Sequence, residues 1–216
     1  MLGVGAVLIP ALVVWWLAVD GLITGLRPVS AWLAHLLTPV NAVTPDTDGS
    51  GWIVQTGIVV VAGKTIAGGE LAIYAIPGVL LRQLTVTWPL FLAFMLAPPR
   101  PQRLLGRLFA GVLALAVLFV LSVSILAFFL FAALVNHVPS QPGYPPPPFY
   151  VAWPAYGEVT FLLARLGRYA ACDVLPLFTP PVLWFALNPA ARRAFFGRDQ
   201  EAGRIPTEQV RQHIGL

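Results

Sequence analysis

The sequence has very few charged residues. Only 10% of its 216 residues are Asp, Glu, Lys or Arg, whereas 58% are hydrophobic. Soluble domains carry about 25% charged residues, so this composition excludes an ordinary water-soluble globular protein. The chain has the composition of a protein that lipid solvates over much of its surface. Its length leaves room for a few membrane spans and short connecting segments, and no separate large soluble domain is predicted.

Cysteine is nearly absent as well. Cys172 is the only one, so the chain cannot form an internal disulfide. The sequence also lacks a cluster of residues at metal-ligand spacing, a serine nucleophile elbow and a glycine-rich cofactor loop. We therefore predict no metal and no cofactor. The net charge is +4, but the arginines lie beside apolar segments rather than among aromatic residues in a stripe. This pattern predicts contacts with membrane lipids and no nucleic acid partner.

Long hydrophobic runs are what the sequence has in abundance. Residues 108–135 carry no charge, and a helix of that length measures about 42 Å, more than the ~30 Å hydrocarbon core of a bilayer. This run predicts a transmembrane helix, and the apolar segments 2–25, 79–97 and 170–188 predict three more. The apolar run of the last segment, residues 174–188, contains three prolines and is short. We expect it to cross if the amphipathic segment 158–173 also enters the membrane or if the bilayer thins locally.

The segment between the first two spans has a different character. Residues 52–76 are rich in Val, Ile and Thr and are interrupted by glycines, which predicts two or three short strands. Open strands cannot lie in lipid because their edge groups would be unpaired, so this β element is expected outside the bilayer. Residues 27–40 predict an amphipathic helix on the membrane surface, and residues 41–51 predict a loop.

These elements together predict a mainly α-helical membrane protein. It has about four transmembrane helices, a small extracytoplasmic β element and interfacial amphipathic helices, in one integral domain of residues 1–216. Arginines are densest at 100–107 and from 192 onward, and such clusters favour the cytoplasmic side. Both termini, including the tail 192–216, are therefore predicted to be cytoplasmic. The β element and the loop 137–157 are predicted on the other side.

The loop 137–157 combines four consecutive prolines with aromatic residues. Consecutive prolines favour an extended polyproline segment, which partner domains can bind. The alternative is a loop whose aromatic rings anchor it in the membrane–water interface. The residues that we predict to contact a partner are Tyr144, Phe149, Tyr150, Trp153 and Tyr156.

A catalytic hypothesis rests on Cys172. Arg168 precedes it by one helical turn and could lower the pKa of the thiol, and His137 lies at the end of the long span, from where it could approach. These three residue types could form a membrane cysteine transpeptidase or hydrolase. The alternative is that Cys172 is a small packing residue in an apolar helix, which is the usual role of a lone cysteine. Since no other catalytic group is evident, a non-enzymatic role is favoured.

The order of the elements resembles a known family. A first span, an extramembrane β segment, the run YAIPGVLLRQLTVTWPLFLAFMLAPP at 74–99, a long span and a short basic tail are similar to the exosortase H-associated membrane proteins. The resemblance covers most of residues 1–198. It implies a multi-pass protein of the bacterial inner membrane, with an accessory role beside an exosortase in protein sorting. The family supplies no catalytic residues to carry over. A membrane-protein partner would dock on the extracytoplasmic segments.

Three functions therefore remain open from the sequence. The first is a non-enzymatic accessory or scaffold protein of the inner membrane that docks a membrane partner in an exosortase-type sorting system. The second is the cysteine enzyme that uses Cys172. The third is a structural subunit of a larger membrane complex, held by packing of its spans alone.

Overall fold

A computed structural model describes residues 2–47, 49, 51–62, 65–98, 101, 103–139 and 150–196. The predicted fold class is confirmed, because the described chain is mostly helical and includes a small antiparallel sheet. Among the described residues, four helical stretches are long and apolar enough to cross a membrane. They are Gly5–Leu37, Gly78–Leu96, Leu104–Val135 and Glu158–Leu187.

Helix α1 runs without interruption over Leu2–Leu37, with Pro10 and Pro28 inside it. The segment that predicted a separate surface helix from residue 27 onward is helical, but it continues α1. Proline removes only one backbone hydrogen bond, and packing can offset that cost. Leu33 and Ala34 supply this packing, because they lie against the same hydrophobic core as Val19 near the middle of α1.

The other three helical stretches differ in their bounds from the segments 79–97, 108–135 and 170–188 that the sequence singles out. Helix α2 covers Gly78–Thr85 and α3 covers Thr87–Leu96. They are separated at Val86, where Pro89 has no N–H to donate to the carbonyl of Thr85 four residues earlier. Helix α4, Leu104–Val135, is the long central span. The last stretch consists of α5 (Glu158–Tyr169), a π turn (Ala170–Val174) and α6 (Leu175–Leu187). Helix α7, Pro189–Phe196, follows it.

The sheet has four antiparallel strands. They are β1 Val40–Pro45, β2 Trp52–Ala62, β3 Thr65–Ile76 and β4 Tyr150–Val151. Strands β1 and β4 pair with different halves of β2, and β3 pairs with β2 as well. The prediction of a loop over residues 41–51 was wrong for 41–45. The turn formers there close only the end of a hairpin, in which Asp46 N–H donates to Gly51 O over 2.9 Å.

The sheet packs along the C-terminal half of α4. At the start of β2, Trp52 contacts Phe119, with ring centroids 6.4 Å apart. Near the end of β2, Val60 packs against Leu134. The stretch of β2 from Trp52 to Val60 therefore lies alongside the stretch of α4 from Phe119 to Leu134. Every second residue from Trp52 to Val60 is buried, as a strand with one face on a core requires.

Helix α4 divides the molecule into two halves. In its first half, residues spaced by four are exposed, from Leu105 at 81% to Leu121 at 45%, and they form one stripe. From Ser122 to Val135 no residue of the helix is exposed. We call the part that surrounds residues 104–121 the span half, and the part that surrounds residues 122–135 the sheet half.

Candidate partner-docking surface

The segment after the proline-rich stretch is fixed to the sheet by strand β4. Val151 and Tyr150 pair with Val60 and Val61 of β2. Ala152 N–H then donates to Val59 O over 3.0 Å. These backbone hydrogen bonds hold the start of the segment against the sheet half.

The end of the segment is fixed by Asn136, which lies directly after α4. Its side-chain Nδ2 donates to Tyr156 O over 3.0 Å, and its Oδ1 accepts from Tyr156 N over 2.9 Å. One amide thus satisfies both backbone groups of Tyr156. With β4 at one end and Asn136 at the other, residues 150–156 are held at two points.

The C-terminus of α4 adds a third attachment. Val138 N–H donates to Ala133 O over 3.0 Å and His137 N–H donates to Leu134 O over 3.2 Å, which is the Schellman pattern. It places His137 at φ +53°, a left-handed conformation that usually belongs to glycine. The His137 ring stacks on Tyr150 with centroids 4.0 Å apart. This contact compensates for the backbone cost and positions the tyrosine ring.

Three aromatic residues on this segment form one surface, which we call the aromatic platform: Tyr150, Trp153 and Tyr156. Trp153 packs edge-on against Phe131 of α4, and Tyr156 packs against Phe128 and Phe131. Tyr150 is 57% exposed and Trp153 is 40% exposed. Burial raises the pKa of Tyr156, so its hydroxyl remains a neutral hydrogen-bond donor well above neutral pH. The platform therefore presents large rings whose positions are already set.

The structure brings together three of the five predicted contact residues. Tyr144 and Phe149 lie outside the described residues. The sequence analysis missed the supporting residues Asn136 and His137 in this role. A signal was available, because they are the first polar side chains after the long charge-free run, where a helix end needs partners for its carbonyl groups.

The three residues of the catalytic hypothesis do not converge. Cys172 is 2% exposed and lies in the π turn. Its neighbour Ala171 lines a small cavity together with Ser122 of α4. His137 is fifteen residues farther along the chain from Ser122, a distance of about 22 Å along a helix axis. Arg168 is directed over the Phe129 ring, 5.3 Å from its centroid.

The environment of Cys172 accounts for its place in the fold. Pro176 has no N–H to donate to the carbonyl of Cys172 four residues earlier. The side chain of Gln83 in α2 donates to that carbonyl over 3.1 Å. Within the described ranges, no group of three or more His, Cys, Asp and Glu side chains could hold a metal ion.

An ion pair lies where the two halves meet. Arg82 of α2 donates from two nitrogens to the carboxylate of Asp20 in α1, with a shortest N–O distance of 3.0 Å. The guanidinium also lies 5.9 Å from the centroid of the Trp16 ring. The Asp20 side chain is 64% exposed, so this pair marks a polar level on the outer face of the two helices.

Comparison with known proteins identifies one similarity. A family model described as "exosortase H-associated membrane protein" matches residues 1–191, in agreement with the resemblance seen in the sequence. No curated protein and no solved structure gives a significant match.

Proposed function

Because the chain belongs to the exosortase H-associated membrane proteins, we propose that it is a non-enzymatic accessory protein that holds an exosortase through its aromatic platform. The family description supplies the class of the partner. The observation that carries the choice of surface is that Tyr150 and Trp153 are exposed and yet fixed, by β4, Asn136 and the His137 stack.

A fixed aromatic surface is well suited to binding. Association costs free energy because side chains and loops lose freedom at an interface. The platform has lost most of that freedom before a partner arrives, since both ends of residues 150–156 are hydrogen-bonded to the rest of the protein. Tyr and Trp are also the residue types that contribute most often to binding hot spots.

The placement of the membrane supports the same surface. The apolar stripe of α4 from Leu105 to Leu121 is suited to lipid, whereas the strand edges of the sheet half require water or protein. The bilayer would therefore surround the span half. Arg103 and Arg107 lie at the end of that half away from the sheet, with Arg192 and Arg193 shortly after the last span. By the positive-inside rule that end faces the cytoplasm. The platform then lies outside the bacterial inner membrane, and both termini lie inside.

The test is co-purification with the exosortase of the same organism. We expect the double substitution of Tyr150→Ala and Trp153→Ala to reduce the exosortase recovered per accessory protein by at least about tenfold, which corresponds to about 1.4 kcal/mol. The matched control is Trp32→Ala, because Trp32 is 64% exposed on α1 of the same half but lies outside the platform.

A second variant separates the rings from their support. Asn136→Ala keeps every ring but removes both hydrogen bonds to Tyr156. It should weaken co-purification less than the double substitution does. Unchanged recovery with the folded double variant would contradict the proposal, and so would an equal loss with Trp32→Ala. The cysteine-enzyme hypothesis gains no support from the described geometry, because His137 and Cys172 lie far apart.

A further inference from the structure

Strand β3 has one edge that the described structure leaves open. In the described part of the chain, β3 pairs only with β2, on one side. The other edge presents a row of backbone N–H and C=O groups along a strand of 12 residues. Such an edge is a template for a further strand.

The two edge strands of the sheet differ in how they are protected. β1 has six residues, a bulge between Val40 and Ala42, a proline at its end and α1 packed nearby. These are features that discourage strand addition. The sequence of β3 includes no proline and one charged residue, Glu70, and its last six residues, 71–76, carry no charge. Over residues 71–76 the edge of β3 therefore lacks the protection that β1 has.

The direction of β3 restricts what can occupy it. Ile76 lies next to the start of α2, where the span half begins, and Ala72 packs against Leu134 near the far end of α4. The strand thus runs alongside α4, roughly along the membrane normal. An edge in this direction begins at the membrane surface and leads away from it.

A second copy of the chain cannot pair symmetrically with this edge. An isologous pair of β3 strands would be antiparallel and related by a two-fold axis perpendicular to them. Since the strands run along the membrane normal, that axis would lie in the membrane plane. The second copy would then be inserted upside down, which its own basic segments oppose.

We propose that the open edge of β3 binds an extended segment of a membrane-anchored protein, directly outside that protein's transmembrane helix. A chain that leaves the bilayer beside this protein travels in the direction of β3, so its backbone can add a strand to the sheet. This inference goes beyond the aromatic platform, which lies on the opposite edge of β2. It rests on the proposed function only for the membrane placement.

The side chains of β3 define the chemistry of the segment. Leu71 and Ile73 point to the outer face of the sheet and are 46% and 54% exposed. An added strand would place its own side chains beside them on that face. Residues 71–76 carry no charge to pair with, so the part of the segment that lies beside them is uncharged and alternates β-branched or apolar residues.

The experiment uses the full-length protein in lipid nanodiscs with a designed probe. The probe is a single transmembrane helix followed directly by ten residues of alternating Val and Thr. Backbone amide exchange of residues 71–76 is measured by mass spectrometry. At a probe concentration ten times Kd, we expect the amides of this segment whose N–H groups face the open edge to exchange about tenfold more slowly. A probe with proline at every second position of the segment should have no effect, because it lacks the N–H groups that pairing requires.

Matched variants locate the binding to the edge. Ile73→Lys places a charge on the open edge strand and should abolish the protection, whereas Thr44→Lys on β1 makes the same change on the other edge strand and should preserve it. Trp153→Ala should also preserve it, so this test can fail independently of the platform. Unchanged exchange, or equal protection by the proline probe, would overturn the inference. Protection of these amides in the absence of the probe, if it became stronger at higher protein concentration, would indicate that a second copy occupies the edge and would also overturn the inference.

Discussion

At the level of single residues, the contact between Gly111 and Phe91 sets how closely α3 and α4 approach. A Cβ atom at Gly111 would overlap the Phe91 ring, and Phe91 itself is fully buried with 0% exposure. The ring cannot swing into open space, since Leu115 and Trp184 belong to the same packed cluster. Close approach of this kind through a small residue is how helices gain packing energy in lipid, where burial of apolar surface gives little.

We therefore expect Gly111→Ala to destabilise the protein by about 1–3 kcal/mol, through overpacking against Phe91. Gly106→Ala is the control, because it lies on the same helix and a Cβ there meets nothing within 4 Å. It should be neutral or stabilise by up to about 1 kcal/mol, since alanine is the better helix former. Unfolding in detergent micelles, followed by tryptophan fluorescence, measures both. Equal effects of the two substitutions would contradict the role of Phe91.

The sequence could not have distinguished these two glycines. Both lie in or beside the long apolar run, and the difference between them is a ring from another helix. The same limit applies to Asp20 and Arg82, which are 62 positions apart and meet only because α1 and α2 pack together. By contrast, Tyr150, Trp153 and Tyr156 could be proposed from the sequence as contact residues, because aromatic residues beside consecutive prolines favour either a partner contact or an anchor in the membrane–water interface.

At the level of elements, the π turn in the fourth span depends on a partner from another helix. The carbonyl of Cys172 cannot receive a hydrogen bond from Pro176, and Gln83 of α2 supplies one over 3.1 Å. A carbonyl without a partner in a low-dielectric environment is costly. The Gln83 side chain therefore joins the second and fourth spans at the level where the two halves meet.

A double-mutant cycle tests this link. Gln83→Leu should destabilise the protein by about 1–3 kcal/mol, because it leaves the Cys172 carbonyl unpaired. In a Pro176→Ala background, the new N–H at position 176 can bond to that carbonyl, and Gln83→Leu should then cost much less. Unfolding free energies of the four proteins in micelles give the coupling between the two sites. A coupling near zero would show that Gln83 does not support the turn.

The sequence predicted most elements but not how they join. Residues 174–188 alone are short for a span. In the described structure they belong to a longer helical stretch, Glu158–Leu187, which also includes the amphipathic segment and the π turn. Strand β1 was missed because residues 41–51 contain many turn formers. Its pairing with β2 is a long-range contact that local propensity does not reveal.

At the level of the whole molecule, the length of α4 has a structural explanation. Helix α4 has 32 residues, of which 108–135 carry no charge, and it is longer than the hydrocarbon core is thick. Tilting is one way in which a long helix fits a bilayer. The described structure provides another, because the sheet, α5 and the end of α1 pack around its second half. On the proposed membrane placement, the hydrophobic residues of this one helix thus face two environments, lipid in the span half and a protein core in the sheet half. Composition cannot separate the two.

This division predicts a sharp difference between two leucines of nearly equal exposure. Leu113 on α4 is 56% exposed in the span half, and Leu36 on α1 is 61% exposed in the sheet half. In a Cys172→Ala background, a nitroxide spin label at Leu113→Cys should collide readily with oxygen, which concentrates in lipid. A label at Leu36→Cys should collide with a water-soluble nickel chelate. Both sites are exposed helical positions, so local crowding cannot account for a difference.

If the label at Leu36→Cys is also shielded from nickel and accessible to oxygen, the bilayer extends over the sheet half. The aromatic platform and the open edge of β3 would then both lie in lipid, and neither proposed docking surface would face the aqueous side of the membrane.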